Sequence, residues 1–345
     1  MILLRIILIP FSLIYSAMMY VRNKLYDTGI FRSHRISKPV ISVGNITTGG
    51  TGKTPLVILL ADYYLSKGIK TGIISRGYKR ESQDPVLVSD GIMINENADE
   101  TGDELLLIAG ELMKNHSGNF FIAADSDRVR AAEFLLKEFD PDIIILDDGF
   151  QNRRIKRDLD IVLFDHRSYT NNRFLHSFTL PSGILRESMN NLKRADLIIQ
   201  NNKSEDVRLL PVLKNYCKDI LTMRYKSEYF MDYKNSILEK EDTGAILFSG
   251  IADDDSFIKM VKSKGIRIRE TMKFSDHHVY TDAEIDFLKN RYSDDILFIT
   301  TEKDFVKIKL FKDFIRNYPV YFLKMKAEPD INSIILYNKL DTLLK

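Results

Sequence analysis

Short apolar runs separated by helical patterns organise the first two thirds of the chain. The runs are rich in β-branched residues and lie at 41–43, 72–75, 120–123, 143–146, 161–164 and 197–200. Apolar residues recur at helical spacing between several of them, as at 103–113 and 127–138. Alternation of this kind predicts an α/β fold with a mostly parallel sheet covered by helices on both faces.

The pattern of apolar and charged residues changes after residue 201. A charged segment rich in Tyr and Lys runs to residue 240 with weak periodicity, and strand and helix patterns resume at 245–249, 281–292, 296–300 and 320–324. The pattern predicts an N-terminal helix and basic segment over 1–37, an α/β domain over 38–205, a linker over 206–240, and a second, smaller α/β domain over 241–345.

Residues 1–21 are almost wholly apolar, interrupted by Arg5, Pro10, Ser12 and Ser16. A cleaved signal peptide, a spanning helix, a buried N-terminal helix and a helix lying in the membrane interface all fit such a stretch. Basic residues follow it at 22, 24, 32, 35 and 38. Basic residues beside an apolar helix favour attachment to an anionic cytoplasmic leaflet, so we expect the interface helix.

Composition excludes several classes of protein. The 345 residues carry a net charge of +2, which argues against wholesale nucleic-acid binding. The single cysteine, Cys217, rules out an internal disulfide, and the six histidines have no spacing typical of a structural metal site. Nothing in the composition indicates an obligate protein partner.

The strongest motif is the stretch VISVGNITTGGTGKTP at residues 40–55. A strand, a glycine turn, Gly-Lys-Thr and a helix follow one another in the order of a phosphate-binding loop. Lys53 would reach the β- and γ-phosphates of a nucleotide, and Thr54 would offer its hydroxyl to Mg²⁺. The position of the usual first glycine is a threonine, which keeps open a glycine-rich turn without a nucleotide. The predicted nucleotide-binding residues are Thr47, Thr48, Gly49, Gly50, Thr51, Gly52, Lys53 and Thr54.

Two adjacent aspartates follow the apolar run at 143–146. Asp147 and Asp148 therefore stand at the carboxyl end of a strand, where ligands bind in open α/β sheets. Such a carboxylate can hold Mg²⁺ directly or through water. Adjacent side chains on a strand point to opposite faces, so the two should do different work. A solvated Asp-Asp-Gly turn is the alternative.

Further charged residues lie at predicted strand or helix ends. Arg76 ends the second strand, Arg128 opens a helix, and the loop-like LPSGILRE ends with Arg186 and Glu187. Arginine binds phosphate bidentately, and Glu187 could hold a metal or water, although surface ion pairs are the common alternative. Asp103 begins a helix, where acids are favoured by the helix dipole, so its role stays open from spacing alone.

Two further motifs each have two competing interpretations. FSDHHVY at 274–280 places His277 beside an aspartate, which fits a proton relay, and it equally fits a helix cap before TDAE. NKSE at 202–205 approximates a guanine-reading motif. Its glutamate replaces the expected aspartate, so we expect ATP rather than GTP.

Taken together, the motifs resemble the tetraacyldisaccharide 4'-kinase family over nearly the whole chain. The matching stretches are SVGNITTGGTGKTP, SRGYKR, TGDE, AADSDRVRA, ILDDGFQNRRIKRDLDIVLFD, LPSGILRE, FSGIADDDSF, FSDHHVYTDAE and TTEKDF. The resemblance implies transfer of the ATP γ-phosphate to the 4'-hydroxyl of a tetraacyl glucosamine disaccharide 1-phosphate. It also implies Mg²⁺, an acylated glycolipid as partner, and a peripheral position on the cytoplasmic face of the inner membrane.

The resemblance implies roles for individual residues as well. Asp103 and His277 would form the base that activates the sugar hydroxyl, with Lys53 and Asp148 in the catalytic set. Thr54, Asp147 and Glu187 would hold the metal. Four positions are expected near the glycolipid or its phosphates: Asn45, Arg76, Arg128 and Arg186.

A second class of protein fits the same N-terminal half. An apolar helix beside a phosphate-binding loop also occurs in membrane-associated ATPases that position other proteins. That class usually has a second lysine early in the loop, where this chain has Thr47 and Thr48, and it has no need for FSDHH.

Overall fold

The computed structural model describes residues 2–77, 84–95, 101–202, 208–239, 244–251, 253–276, 278–330 and 333–344. The chain divides into two compact units, Met1–Arg224 with Pro329–Lys345, and Tyr225–Glu328. Each unit is built on a sheet of mainly parallel strands, and the predicted α/β class is confirmed. The predicted domain boundaries stay predictions.

The first unit has a sheet in the order β8-β7-β6-β1-β5-β2-β4-β3. Only the edge pair β3–β4 is antiparallel among the pairings described there. The central strands are buried along their whole length, because a parallel sheet has both faces covered. The strands are β1 (Val40–Asn45), β2 (Thr71–Ser75), β3 (Val86–Ser89), β4 (Phe120–Ala124), β5 (Ile143–Asp147), β6 (Leu159–Asp165), β7 (Leu197–Asn201) and β8 (Ile220–Met231).

Helices in this unit pack on the sheet through apolar residues. One helix, α5 (Arg128–Glu138), contributes Val129, Ala132 and Leu135 to a core shared with Ile144 and Leu146 of β5. The helices are α1 (Ile2–Ile7), α2 (Ile9–Asp27), α3 (Lys53–Leu65), α4 (Asp103–Leu112), α5 (Arg128–Glu138), α6 (His166–Asn171) and the C-terminal α11 (Ile334–Thr342). The predicted strand–helix alternation of residues 41–200 is thus observed.

The second unit is a smaller α/β fold with strand order β10-β9-β11-β12. Its core includes the fully buried side chains of Phe248, Phe298 and Phe314. The elements are β9 (Gly244–Ser249), α7 (Asp254–Ser263), β10 (Arg267–Lys273), α8 (Asp282–Lys289), β11 (Ile296–Thr301), α9 (Glu302–Ile308), α10 (Lys312–Asn317) and β12 (Val320–Pro329).

The stretch predicted as a linker contains the long strand β8. Leu221, Met223 and Tyr225 alternate with more exposed residues along it, which is the period of two that a strand requires. The many Lys and Tyr side chains obscured that period in the sequence.

The N-terminal apolar stretch forms helices α1 and α2. Helix α2 begins with Pro10 in its first turn, where the missing N–H costs no hydrogen bond. Across the part of the chain that the structure describes, no helix combines the length and the apolar character needed to cross a membrane.

Candidate active site

The glycine-rich loop at 46–52 joins β1 to α3 at the carboxyl end of the sheet. Gly49 has a φ of +96° and Gly52, the N-cap of α3, a φ of +85°, a region that residues with a Cβ rarely adopt. Thr48, Gly49 and Gly50 are exposed. The loop therefore presents main-chain groups to solvent beside a helix N-terminus, an arrangement suited to an anion.

Side-chain amides hold this loop in place through hydrogen bonds. The Asn45 Nδ2 donates to Thr51 Oγ1 at 2.9 Å, and the Asn201 Nδ2 donates to the main-chain oxygen of Thr51 at 2.8 Å. Gln151 Nε2 in turn donates to the main-chain oxygen of Asn45 at 2.8 Å. Asn45, predicted near the acceptor, is fully buried and bonded to the loop.

The LPSGILRE segment lies along the other side of the loop. The Thr48 N–H donates to the Ile184 oxygen at 2.8 Å, and the Arg186 N–H donates to the Ile46 oxygen at 2.7 Å. Thr47 and Leu185 pair as an antiparallel bridge between these two bonds. Main-chain pairing thus fixes the segment that carries Arg186 against the loop.

Asp148 contacts two other predicted site residues. Arg186 Nη1 donates to both of its carboxylate oxygens, at 2.9 and 2.7 Å, and Lys53 Nζ lies 3.4 Å from Oδ1. Burial favours the neutral acid, but these two cations outweigh it and hold the pKa of Asp148 below its usual range. Its φ of +53° turns the chain sharply after β5.

Asp147 points elsewhere, as expected for neighbouring residues at a strand end. It is fully buried, and its Oδ2 accepts from Ser75 Oγ at 3.0 Å. Its Oδ1 has no hydrogen-bond partner among the described residues. Burial, then the charge of Glu104, raise the pKa of Asp147 to about 7, and Lys53 opposes them. The site thus holds one firmly ionised carboxylate and one whose charge is costly.

The two predicted arginines of this region differ in exposure. Arg128, the first residue of α5, is buried, and its Nη1 donates to the Asp125 oxygen at 2.7 Å. Burial lowers the pKa of Arg128 to about 10, and the charges of Asp147 and Asp148 oppose this. Arg76 is exposed just beyond β2.

The predicted base is described only in part. Asp103 begins α4 and is buried, and its Oδ1 accepts from the Glu104 N–H at 3.0 Å. His277 lies outside the described residues. The helix cap expected after FSDHHVY is present, because Thr281 and Glu284 form a capping box at the start of α8.

Glu187 lies in a buried polar network in which one of its oxygens, Oε1, has no hydrogen-bond partner among the described residues. Its Oε2 accepts from Asn23 Nδ2 and from Arg194 Nη2, both at 2.8 Å, and Arg22 Nη2 lies 3.8 Å from Oε1. The carboxylate is fully buried. No three acidic, His or Cys side chains of the described ranges are grouped so that they could hold a metal ion.

Comparison with known proteins accounts for these motifs together. The family model of tetraacyldisaccharide-1-P 4'-kinase matches residues 4–345. The chain belongs to this family. A tetraacyldisaccharide 4'-kinase of Chlorobaculum parvum is 37% identical over 308 residues, which cover 87% of this chain and 83% of the relative. Its counterpart from Aquifex aeolicus is 33% identical over 337 residues, covering 96% and 98%.

A solved structure from the family agrees in fold. The crystal structure described as "apo" LpxK from Aquifex aeolicus in complex with ATP superposes with a TM-score of 0.80 at 30% identity. The match covers 99% of this chain and 100% of that one. The resemblance inferred from the sequence motifs is confirmed.

Several residues that support the site of this 4'-kinase family member were not predicted from the sequence. Ser75, Glu104 and Gln151 all stand within or beside the quoted motifs, but nothing in spacing says what they contact. Asn201 ends β7, so its position at the end of a predicted strand could have marked it as a site residue, as it did for Asp147. Asn23 had no signal, because it lies in an apolar helix far from the motifs.

Proposed function

We propose that this chain transfers the γ-phosphate of ATP to the 4'-hydroxyl of a tetraacyl glucosamine disaccharide 1-phosphate. The observation that carries the proposal is the cluster of Lys53, Asp148 and Arg186 beside the glycine loop, in a chain that matches the kinase family from residue 4 to 345. Phosphoryl transfer requires mainly positioning and neutralisation of charge, and these groups supply both.

The glycine loop is our proposed site for the nucleotide phosphates. Main-chain N–H groups of the loop other than that of Thr48, together with the N-terminus of α3, would bind phosphate oxygens, and Lys53 would neutralise their charge. Asp148 holds the Lys53 ammonium at 3.4 Å, so the lysine is oriented before any ligand arrives. Arg186 also stabilises Asp148, because its Nη1 donates to both carboxylate oxygens.

The donor set near the loop fits Mg²⁺. The unpartnered, fully buried Oδ1 of Asp147 is an oxygen acceptor of the kind that hard cations prefer, and Thr54 lies in the first turn of α3. We assign these two residues to the metal, with phosphate oxygens and water completing its ligands. When bound, the cation would neutralise charge that develops on the transferring phosphoryl group.

For the acceptor, we propose the two-residue general base expected from the sequence. Asp103 and His277 would take the proton of the 4'-hydroxyl, since a sugar hydroxyl needs a base within hydrogen-bond reach. Arg76 and Arg128 are proposed near phosphate groups, with the electrostatic coupling between Arg128 and the two aspartates as support. We also propose that the nucleotide-binding domain corresponds to 38–205 and the second domain to 241–345.

Helix α2 is our proposed membrane contact, and its amphipathic pattern is inverted relative to an ordinary surface helix. Phe11, Ile14, Met18 and Val21 recur on one face with 54–65% of each side chain exposed. The opposite face carries Ser12 and other polar residues that bond to the first unit. An apolar stripe of this kind suits the cytoplasmic interface of the inner membrane, where a four-chain lipid resides.

The deciding experiment is transfer of labelled γ-phosphate from ATP to the tetraacyl acceptor in detergent micelles. A labelled, doubly phosphorylated glycolipid is the expected product with Mg²⁺. Release of free phosphate alone, unchanged by acceptor, would overturn the proposal in favour of an ATPase that positions proteins. Lys53→Ala should abolish transfer while Lys137→Ala, at a highly exposed lysine, should not.

Single variants then test the assigned roles. Arg186→Met removes the guanidinium that donates to both Asp148 oxygens, so transfer should fall roughly ten- to a hundredfold. His277→Ala should lower kcat and leave ATP binding unchanged. Intact transfer by His277→Ala would exclude that residue as the base.

A further inference from the structure

Helix α2 has a polar face that contacts the LPSGILRE segment, and Thr179 just before it, at several points. Tyr15 Oη donates to the Arg186 main-chain oxygen at 3.1 Å, and Ser16 Oγ lies 2.7 Å from Thr179 Oγ1. Ser12 Oγ accepts from the Ser182 N–H at 2.8 Å. A helix that only anchored the protein in lipid would not need these bonds.

The most buried of these contacts joins Asn23 to Glu187. Glu187 is fully buried and Asn23 is 4% exposed, and Asn23 Nδ2 donates to Oε2 at 2.8 Å. Arg194 Nη2 donates to the same oxygen at 2.8 Å. A buried carboxylate deprived of such donors is strongly disfavoured, so the position of Glu187 depends on both partners.

Glu187 is covalently next to Arg186, and the chain at Arg186 is fixed on two further sides. Its N–H donates to the Ile46 oxygen at 2.7 Å, beside the glycine loop. Its guanidinium binds Asp148 at 2.7 and 2.9 Å, and Asp148 pairs with Lys53. An uninterrupted series of polar contacts therefore runs from α2 to the phosphate-binding lysine.

We propose that α2 is a positioning element of the phosphoryl-transfer site, acting through Asn23 and Glu187 on Arg186. Glu187 is then a positioning residue and not the metal ligand expected from the sequence. The inference rests on the proposed kinase function, because it concerns the geometry of the same site. It gives the helix two separable tasks, lipid contact on its apolar face and site alignment on its polar face.

Full-length Asn23→Ala tests the alignment task. We expect kcat for transfer to fall about ten- to a hundredfold, with KM for ATP and binding to anionic lipid vesicles within about twofold of the starting protein. Asn190→Ala is the matched control, because Asn190 is an exposed asparagine three residues from Glu187 and its loss should change none of these three quantities. An unchanged kcat for Asn23→Ala would overturn the inference.

A reciprocal exchange separates positioning from metal binding. Asn23→Asp places two carboxylates together in a buried site and should lower kcat more than Asn23→Ala does. Combining it with Glu187→Gln restores one amide and one carboxylate, and Arg194 keeps an anionic neighbour. We expect the double variant to regain at least about tenfold over Asn23→Asp.

The outcomes of the exchange are distinct. A double variant no better than Asn23→Asp would overturn the inference, because it would mean that a carboxylate is required at position 187 itself. Absence of transfer in the unmodified chain would instead contradict the proposed function. Thermal unfolding and ATP binding of every variant identify any that fail to fold, and for these Asn23→Ser replaces Asn23→Ala.

Discussion

Replacing two residues of the apolar face of α2 should weaken membrane binding by a predictable amount. Phe11 and Met18 expose 59% and 65% of their surfaces on one side of the helix. Full burial of such a side chain contributes roughly 1.5–3 kcal/mol, so burial of the exposed part contributes roughly 1–2 kcal/mol each. Phe11→Gln with Met18→Gln should therefore cost about 2–4 kcal/mol of transfer free energy.

That loss corresponds to a partition coefficient roughly 30- to 1,000-fold smaller, since each 1.4 kcal/mol is a factor of ten. Co-sedimentation with vesicles containing anionic lipid measures it directly. Ile92→Gln with Met93→Gln is the matched control, because these residues are 69% and 71% exposed on a turn of the first unit. Equal losses in both double variants, or none in either, would refute the assignment of the membrane contact to α2.

Three further substitutions test the packing and electrostatics. Gly44→Ala would place a Cβ 2.5 Å from the Phe150 Cβ, so unfolding free energy in urea should fall by about 1–3 kcal/mol; unchanged stability would mean the turn after β5 yields freely. Burial opposes ionisation of Glu284, but hydrogen bonds from His278 and the N-cap of α8 hold its pKa below the ordinary value. The ionised carboxylate therefore stabilises the fold above its unfolded-state pKa, and this contribution is lost as pH falls through its folded-state pKa. The loss of unfolding free energy caused by Glu284→Gln should accordingly shrink between pH 6 and 3. A loss that stays constant over this range would contradict the role of the ionised carboxylate. Tyr64→Phe removes a 3.0 Å hydrogen bond to a main-chain oxygen of α11, so thermal unfolding should show a loss of about 1 kcal/mol of stability. An unchanged stability would mean that this bond does not stabilise the attachment of α11.

Local features of this protein were predictable because their causes are local. A strand followed by glycines that need positive φ and then by a helix start is written in consecutive residues, and the loop at 46–52 has that geometry at Gly49 and Gly52. Asp147 likewise ends β5 and Asp148 follows it, so their place at the carboxyl edge of the sheet is local information. Their different environments arise from the turn at Asp148, whose φ is +53°. The family could be named for the same reason, since its motifs are contiguous.

Contacts between distant residues were decided only by the tertiary structure. Arg186 and Asp148 are 38 residues apart, and Asn23 and Glu187 are 164 apart. No spacing rule relates such positions, because their proximity depends on how the whole sheet orders its strands. The sequence indicated Glu187 as a possible metal or water ligand in a loop-like stretch, while its buried hydrogen-bond donor Asn23 lies close only because α2 packs against that stretch. The apolar face of α2 was apparent from composition, and its polar face acquired meaning from what it touches.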